Sequence, residues 1–354
     1  MKIADIKFEK KRLQLKEPFV IALGVIEYCE SMIVKIVTDE GIVGYGEAAP
    51  FAPVTGEYID GVAIALNAFK NALIGENPMA IDRIHTVMDK ITVGNTSAKA
   101  AIDIALYDIK GKALNMPLYM VLGGHSDKLV TDCTLGIKAP EEMAKSAMEL
   151  VKQGYTILKV KVGIDPHEDI NIIKTLREAV GDKIHLRADA NQGWNVSTAI
   201  EVLREFEKYG VDECEQPLPY WDIEGLKRVR DNSRIKIMAD ESLHSPKDAV
   251  RLIRAQAVDM FNIKLMKCGG LYKALQINSI GEAAGVNCMV GCMAETELAI
   301  SAGASLIAAQ HNITDGDMDS YLDFNCNDIK GSFTVVKGVM TLSDRPGLGV
   351  AVSF

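Results

Sequence analysis

Two lysines and three carboxylates in the middle of the chain have the types and spacing for proton transfer beside a metal ion. Lys161 ends the run ILKVK, Asp189 lies in IHLRADANQGW, Glu215 in VDECEQP, Asp240 in IKIMADES and Lys264 in MFNIKL. Each acid closes a short apolar run, and the three recur about 25 residues apart. Carboxylates that converge on one point hold a hard divalent cation, and an all-oxygen ligand set favours Mg2+ over Zn2+. A lysine tuned toward neutrality can act as a general base. The α-proton of a carboxylate is too weakly acidic for a bare amine, so the enediolate left behind needs a metal to stabilise it. The expected chemistry is therefore removal and return of a proton next to a carboxylate. Any one of these acids could instead cap the helix that follows it. Their repetition on three consecutive strands favours the metal.

Such residues need a scaffold that brings strand ends together. From Leu129 onward, short apolar runs alternate with helical stretches. Strands are expected to begin at Val130, Ile157, Ile184, Val211, Ile235, Met260, Asn287 and Asn312. Eight such units in a row predict a (β/α)8-type barrel rather than an open sheet. Catalytic residues of such barrels lie at the C-terminal strand ends, where Asp189, Glu215 and Asp240 close the third, fourth and fifth strands. Neighbouring strands lie about 5 Å apart, so the three carboxylates can share one ion. Lys161 and Lys264 end the second and sixth strands, which oppose each other in a ring of eight. Lys159 shares a pleat face with Lys161 and should point inward. Its expected role is electrostatic, lowering the pKa of Lys161, although a salt bridge to a neighbouring strand's acid would also account for it.

Ahead of the barrel, residues 1–50 read as antiparallel strands, with KEPFVIALGVIEYCES as a long loop and Asp39-Glu40-Gly41 as a hairpin turn. Three helical segments follow, so residues 1–120 form an α+β unit. GIVGYGE follows a hairpin turn and opens no helix, which argues against a nucleotide loop. After the barrel (residues 121–325), the tail (residues 326–354) returns to hairpin character and should pack back on the N-terminal unit.

The 354 residues are 48% hydrophobic and carry a net charge of −9, which argues against nucleic acid or an anionic membrane as the main partner. Aromatics make up only 6%, so the core must be aliphatic. The N-terminus lacks the apolar core of a signal peptide, and no run is long enough to span a bilayer. Seven scattered cysteines without a CxxC pair point to a reducing cytoplasm. Cys288 and Cys292 lie close in sequence, but no further ligand nearby suggests zinc. A homo-oligomer remains open.

The motifs KVKVG, DANQGW, CEQP, ADES and NIKLMKCGG resemble, in order and spacing, those of the enolase superfamily, in its muconate-cycloisomerase-like subgroup. The resemblance spans essentially the whole chain. It implies an α/β fold: a modified TIM barrel, (β/α)7β, with an N-terminal α+β capping domain completed by the C-terminal tail. It also implies Asp189, Glu215 and Asp240 as Mg2+ ligands, supported by Asn191 and Glu241, and Lys161 and Lys264 as the acid/base pair. The last strand, ITDGDMDSY, places Asp317 and Asp319 two apart and so on one face. Two carboxylates can grip an ammonium group. This pair resembles that of the dipeptide epimerases, including the L-Ala-D/L-Glu epimerases, and implies a dipeptide substrate. Thr134, Cys292 and Met293 should line the same cavity.

One departure bears on specificity. The Ala-Glu enzymes carry an arginine in the loop after PFxxAL that pairs with the substrate's glutamate side chain. This chain reads PFVIALGV, with Gly24 at that place. The C-terminal residue of the substrate is therefore expected to be neutral or hydrophobic, contacted by Phe19, Ile26, Phe51 and Pro53. Two rivals remain at this point. A lyase, N-acylamino acid racemase or cycloisomerase of the same subgroup would leave Asp317 and Asp319 unexplained. A barrel that merely binds peptides would leave the opposed lysines unexplained.

Overall fold

The computed structural model describes residues 1–354. Strands β1 (Ile3–Ile21) and β2 (Gly24–Thr38) form one long antiparallel hairpin, and β3 (Val43–Ala48) pairs with β2. The stretch expected to be a loop is thus mostly strand. Phe19 pairs with Ile26 and Val20 with Val25, after a register shift beyond Gln14. Its β-branched and aromatic residues gain a cross-strand partner that local sequence does not reveal. Helices at residues 59–73, 81–91 and 96–113 follow the sheet. The glycines of GIVGYGE have a packing purpose. A side chain at Gly44 or Gly46 would collide with the carbonyls of Ala105 and Ala101 on the 96–113 helix.

Strand β4 (Lys128–Val130) precedes eight parallel strands in sequential order: β5 (Cys133–Leu135), β6 (Ile157–Lys161), β7 (His185–Asp189), β8 (Val211–Glu215), β9 (Lys236–Ala239), β10 (Met260–Lys264), β11 (Asn287–Gly291) and β12 (Ile313–Gly316). A parallel bridge from Thr131 to Gly316 joins the first and last of them into a ring. A long helix fills each of the seven gaps, while only a short 3-10 turn at Ser320–Asp323 follows β12, which makes the barrel (β/α)7β. Local chemistry explains several helix starts. Asp165 accepts from the amides of His167 and Glu168, and Ser245 from that of Asp248, each before a proline in the first turn.

The strand expected from Val130 divides in two. Its first part, β4, leaves the barrel and pairs with β15 (Val339–Leu342), which forms the tail hairpin with β14 (Phe333–Val336), while β13 (Ile329–Lys330) and β16 (Ala351–Val352) pair with each other. In β4 only Leu129 is buried, whereas β5 hides both Cys133 and Leu135. The tail also reaches the N-terminal helices, where the Leu348 amide donates to Asp108 at 2.9 Å. One continuous hydrophobic core of 91 residues runs through the sheet, the helices and the barrel, so no solvent layer separates the units. No helix is long and apolar enough to cross a membrane.

Candidate functional site

Strand register puts the charged side chains at one height. Lys161 lies opposite Asp189, and Asp189 opposite Glu215, at the ends of β6, β7 and β8. Asp240 is the first residue past β9, and Lys264 ends β10. Directly after the carboxylates the backbone turns with positive φ at Asn191, Gln192 and Gln216, a conformation that non-glycine residues adopt only where surrounding contacts hold them. Gln216 supplies such contacts. Its amide oxygen accepts from the Asp240 and Ser242 amides at 3.0 and 3.1 Å, locking the tops of β8 and β9 together.

Asp189, Glu215 and Asp240 are wholly buried, and Lys159, Lys161 and Lys264 reach into the space among them. Lys161 Nζ is 2.6 Å from Asp189 Oδ2 and 3.0 Å from Asn191 Oδ1. Lys264 Nζ is 2.9 Å from Asp240 Oδ2. Lys159 Nζ lies 3.1 Å from Asp189, 2.9 Å from Glu215 and 2.8 Å from Asp317. It therefore makes the salt bridges that were the plainer reading of this residue. It also bridges the strand-end acids to the far side of the mouth.

Burial would raise the Asp189 carboxyl, but Lys161 and Lys159 hold it down to about 2. Burial, aided by Asp189, pushes Glu215 up to about 7. Burial and Asp240 push Glu241 up to about 8. Burial opposes the Lys264 ammonium, yet Asp240 beside it leaves its pKa raised.

The fit of these residues to a divalent cation can be tested on their lone pairs. Glu215 Oε2 and Asp240 Oδ2 are buried and face only the ammonium groups of Lys159 and Lys264, each at 2.9 Å, while Glu241 Oε2 is buried with no partner. Buried carboxylate charge is costly unless cations offset it. These oxygens, at the adjacent ends of β8 and β9, suit a hard dication. Asn191 donates to the other oxygen of Glu241 at 3.2 Å.

Above this layer lies a cavity of about 360 Å³. Lys161, Asn191, Asp240, Lys264, Thr134, Cys292, Met293, Asp317 and Asp319 all line it, as do Phe19, Ile26, Phe51 and Pro53. Gly24 does not. It sits at the tip of the β1–β2 hairpin with φ +135° and open space around it. The only cationic residues in the lining are Lys161 and Lys264.

Asp317 and Asp319 come together by a different route from the one expected. The strand ends at Gly316, so both lie beyond it, and a shared pleat face does not explain them. Thr134 does: its amide donates to Asp319 at 2.6 Å, and its hydroxyl lies 3.4 Å from Asp317. Cys292 Sγ and the carboxylate oxygens of both acids lie within 4.8 Å of one another. Asp317, paired with Lys159, is held well below the usual range despite its burial. Burial and the Asp317 charge push Asp319 up to about 8.

Two buried side chains at this site carried no sequence expectation. Asn262 donates to Glu215 Oε1 at 2.9 Å. Lys267 lies under Asp240, touching its carboxylate and, at 3.1 Å, the Asn262 carbonyl. Asn262 was detectable as a lone amide in an apolar strand, two residues before Lys264 and so on its face. Lys267 depends on the short helix Leu265–Cys268, which spacing alone does not reveal.

Comparison with known proteins agrees with this architecture. Residues 142–353 match the family model described as enolase C-terminal domain-like, and residues 3–123 match the mandelate racemase / muconate lactonizing enzyme N-terminal domain. The chain is 46% identical over 353 residues to the hydrophobic dipeptide epimerase of Enterococcus faecalis, covering 99% of this chain and 100% of that one. It is 42% identical to the L-Ala-D/L-Glu epimerase of Clostridium acetobutylicum, covering 99% of each. A crystal structure of the Enterococcus faecalis dipeptide epimerase, complexed with Mg and L-Leu-L-Tyr, superposes with a TM-score of 0.97 at 45% identity, covering 99% of this chain and 100% of that one. Two matching domain models in the expected order, with full-length relatives, place this chain in the mandelate racemase/muconate lactonizing enzyme branch of the enolase superfamily.

Proposed function

We propose that the protein is a Mg2+-dependent dipeptide epimerase that inverts the α-carbon of the C-terminal residue. The observation that carries this reading is the pairing of two features in one cavity. Lysines from opposed strands flank three buried strand-end carboxylates, and a second acidic pair lies across the mouth. Asp189, Glu215 and Asp240 would hold the ion, with Asn191, Glu241, Asn262 and Lys267 fixing their orientation. When bound, Mg2+ draws negative charge onto the substrate carboxylate and so makes the adjacent proton removable. Lys161 and Lys264 then act from opposite faces of that carbon. One accepts the proton at Nζ, and the other returns a proton to the opposite side. Lys159 holds Asp317 and offsets charge beneath the site. Asp319, with Asp317 behind it, receives the substrate ammonium. That ammonium supplies the positive charge that an acid pushed up to about 8 by burial and Asp317 lacks.

In this reading residues 1–120 cap the cavity, residues 121–325 form the barrel, and residues 326–354 tie the barrel to the cap. A reducing cytoplasm suits seven free cysteines. Incubation with L,L-dipeptides in D2O tests the activity. Mass spectrometry is expected to find one deuterium at the C-terminal α-carbon together with the L,D product. Loss of water would indicate a lyase instead, and no mass change would indicate a binding protein.

The side chain of the C-terminal residue is proposed to be hydrophobic. Phe19, Ile26, Phe51 and Pro53 contribute apolar surface, and no arginine lines the cavity to pair with a glutamate. Burying an unpaired carboxylate costs several kcal/mol. A dipeptide ending in Tyr, Leu or Phe is therefore expected to exceed L-Ala-L-Glu in kcat/KM by roughly 10²-fold or more. Equal rates, or a preference for glutamate, would overturn this assignment.

A further inference from the structure

Glu47 ends the capping sheet next to the cavity but takes no part in the chemistry above. Its side chain is wholly buried, and no lysine, arginine or histidine pairs with it. It accepts only neutral donors. On the cap side, Ser31 Oγ donates at 2.8 Å. On the barrel side, Thr296 donates through its amide at 3.0 Å and its hydroxyl at 2.6 Å, and the Ala299 amide donates at 3.2 Å. Burial accordingly pushes this carboxyl above its usual range.

Part of this arrangement caps the barrel helix Glu297–Ala309, whose Ala299 amide Glu47 takes, but capping does not call for a carboxylate from the other domain. Thr296 already caps Glu297–Ala309, accepting from the Leu298 amide at 3.2 Å. Ser31, Thr296 and Glu47 itself, however, each lie within three residues of a wall of the cavity. Ser31 follows Cys29 and Glu30, which line it, and Glu47 itself precedes Pro50 and Phe51, which also line it. Thr296 follows Cys292, Met293 and Ala294. From there the contacts continue. Glu295 accepts from the Met293 amide at 2.9 Å, and Ser320 exchanges hydrogen bonds of 3.1 Å with the Glu295 backbone, one residue from Asp319.

We propose that Glu47 is a positioning residue for substrate recognition, setting the hairpin wall, the segment after β11 and the Asp319 turn in one register. This inference rests on the dipeptide reading of the cavity. It adds that the cap and the barrel share a single buried carboxylate as their reference point on the substrate side, away from the lysines and the metal layer. Losing it should therefore weaken recognition without slowing proton transfer.

Glu47→Gln, which replaces one acceptor oxygen by a donor, and Ser31→Ala, which frees only the hairpin, test this. For Glu47→Gln, KM for a hydrophobic dipeptide is expected to rise at least fivefold, with kcat changed less than twofold. The Mg2+ dissociation constant, measured by calorimetry, should be unchanged. Ser31→Ala should show a smaller rise of the same kind, and it decides the matter if Glu47→Gln does not fold. Amide hydrogen exchange should quicken in peptides spanning residues 19–30 and 292–297, but not in 185–189. An unchanged KM in the folded variants overturns the inference, as does a fall in kcat without a rise in KM. If the wild-type protein itself exchanges no α-proton of any dipeptide, the functional reading fails. Amide exchange alone then decides, and equal rates in variant and wild type would overturn the positioning role.

Discussion

Lys161→Ala and Lys264→Ala are each expected to abolish epimerisation, lowering kcat by roughly 10²–10⁴-fold or more. Inversion needs a proton carrier on both faces of the carbon, so one remaining lysine cannot complete the reaction. It can still take a proton from one stereoisomer and give it back. Each variant should therefore retain deuterium exchange with only one of the two epimers, and the two variants should retain opposite ones. The ground for expecting separable roles is geometric. The lysines end β6 and β10, four strands apart in a ring of eight, and each pairs with a different acid, Asp189 and Asp240. Arginine should restore neither function, because a guanidinium does not give up its proton near neutral pH. Full epimerase activity in either alanine variant would refute the two-base scheme.

Asp189→Asn and Glu215→Gln should raise the Mg2+ dissociation constant by roughly 10²-fold, and each should reduce turnover to near background. Each replaces a proposed ligand whose other carboxylate oxygen is already committed. Glu215 Oε1 accepts from Asn262, and Asp189 Oδ1 from the Asn191 amide at 3.0 Å. A readout independent of turnover is thermal stability. An ion bound only by the folded state, at a hundredfold excess over its dissociation constant, stabilises it by ~2.7 kcal/mol. Mg2+ should thus raise the Tm of the wild-type protein by several degrees and leave that of Glu215→Gln nearly unmoved, while a chelator should reverse the wild-type shift. An equal Mg2+-dependent shift in both would place the ion elsewhere.

The buried strand-end carboxylates and the lysines were legible because a βα repeat brings each strand to the same depth. An acid at the end of one apolar run then predicts the height of the next. The apolar side of the cavity was legible for a related reason: Phe19, Ile26, Phe51 and Pro53 are large and apolar close to turns. Residues whose partners lie far away in sequence were harder to read. KEPFVIALGVIEYCES reads as a loop until Phe19 meets Ile26, and Val130 reads as barrel until the tail hairpin claims it. Asp317 and Asp319 were correctly joined, but by a strand that ends before them. Gly24 was read as part of the pocket, whereas the hairpin carries it to the tip.

What the sequence determined by itself was the repeat, the charged strand ends and the likeness to one superfamily, since residue type and spacing along a strand are local properties. What only the tertiary structure decided was which charges meet. Lys159 joins Asp317 to Asp189 and Glu215, Lys267 lies under Asp240, and Glu47 ties cap to barrel across about 250 residues of chain. Those contacts arise when strands and domains close on each other. A buried charge takes whichever partner the closed fold brings within hydrogen-bond reach, and no periodicity along the chain encodes that choice.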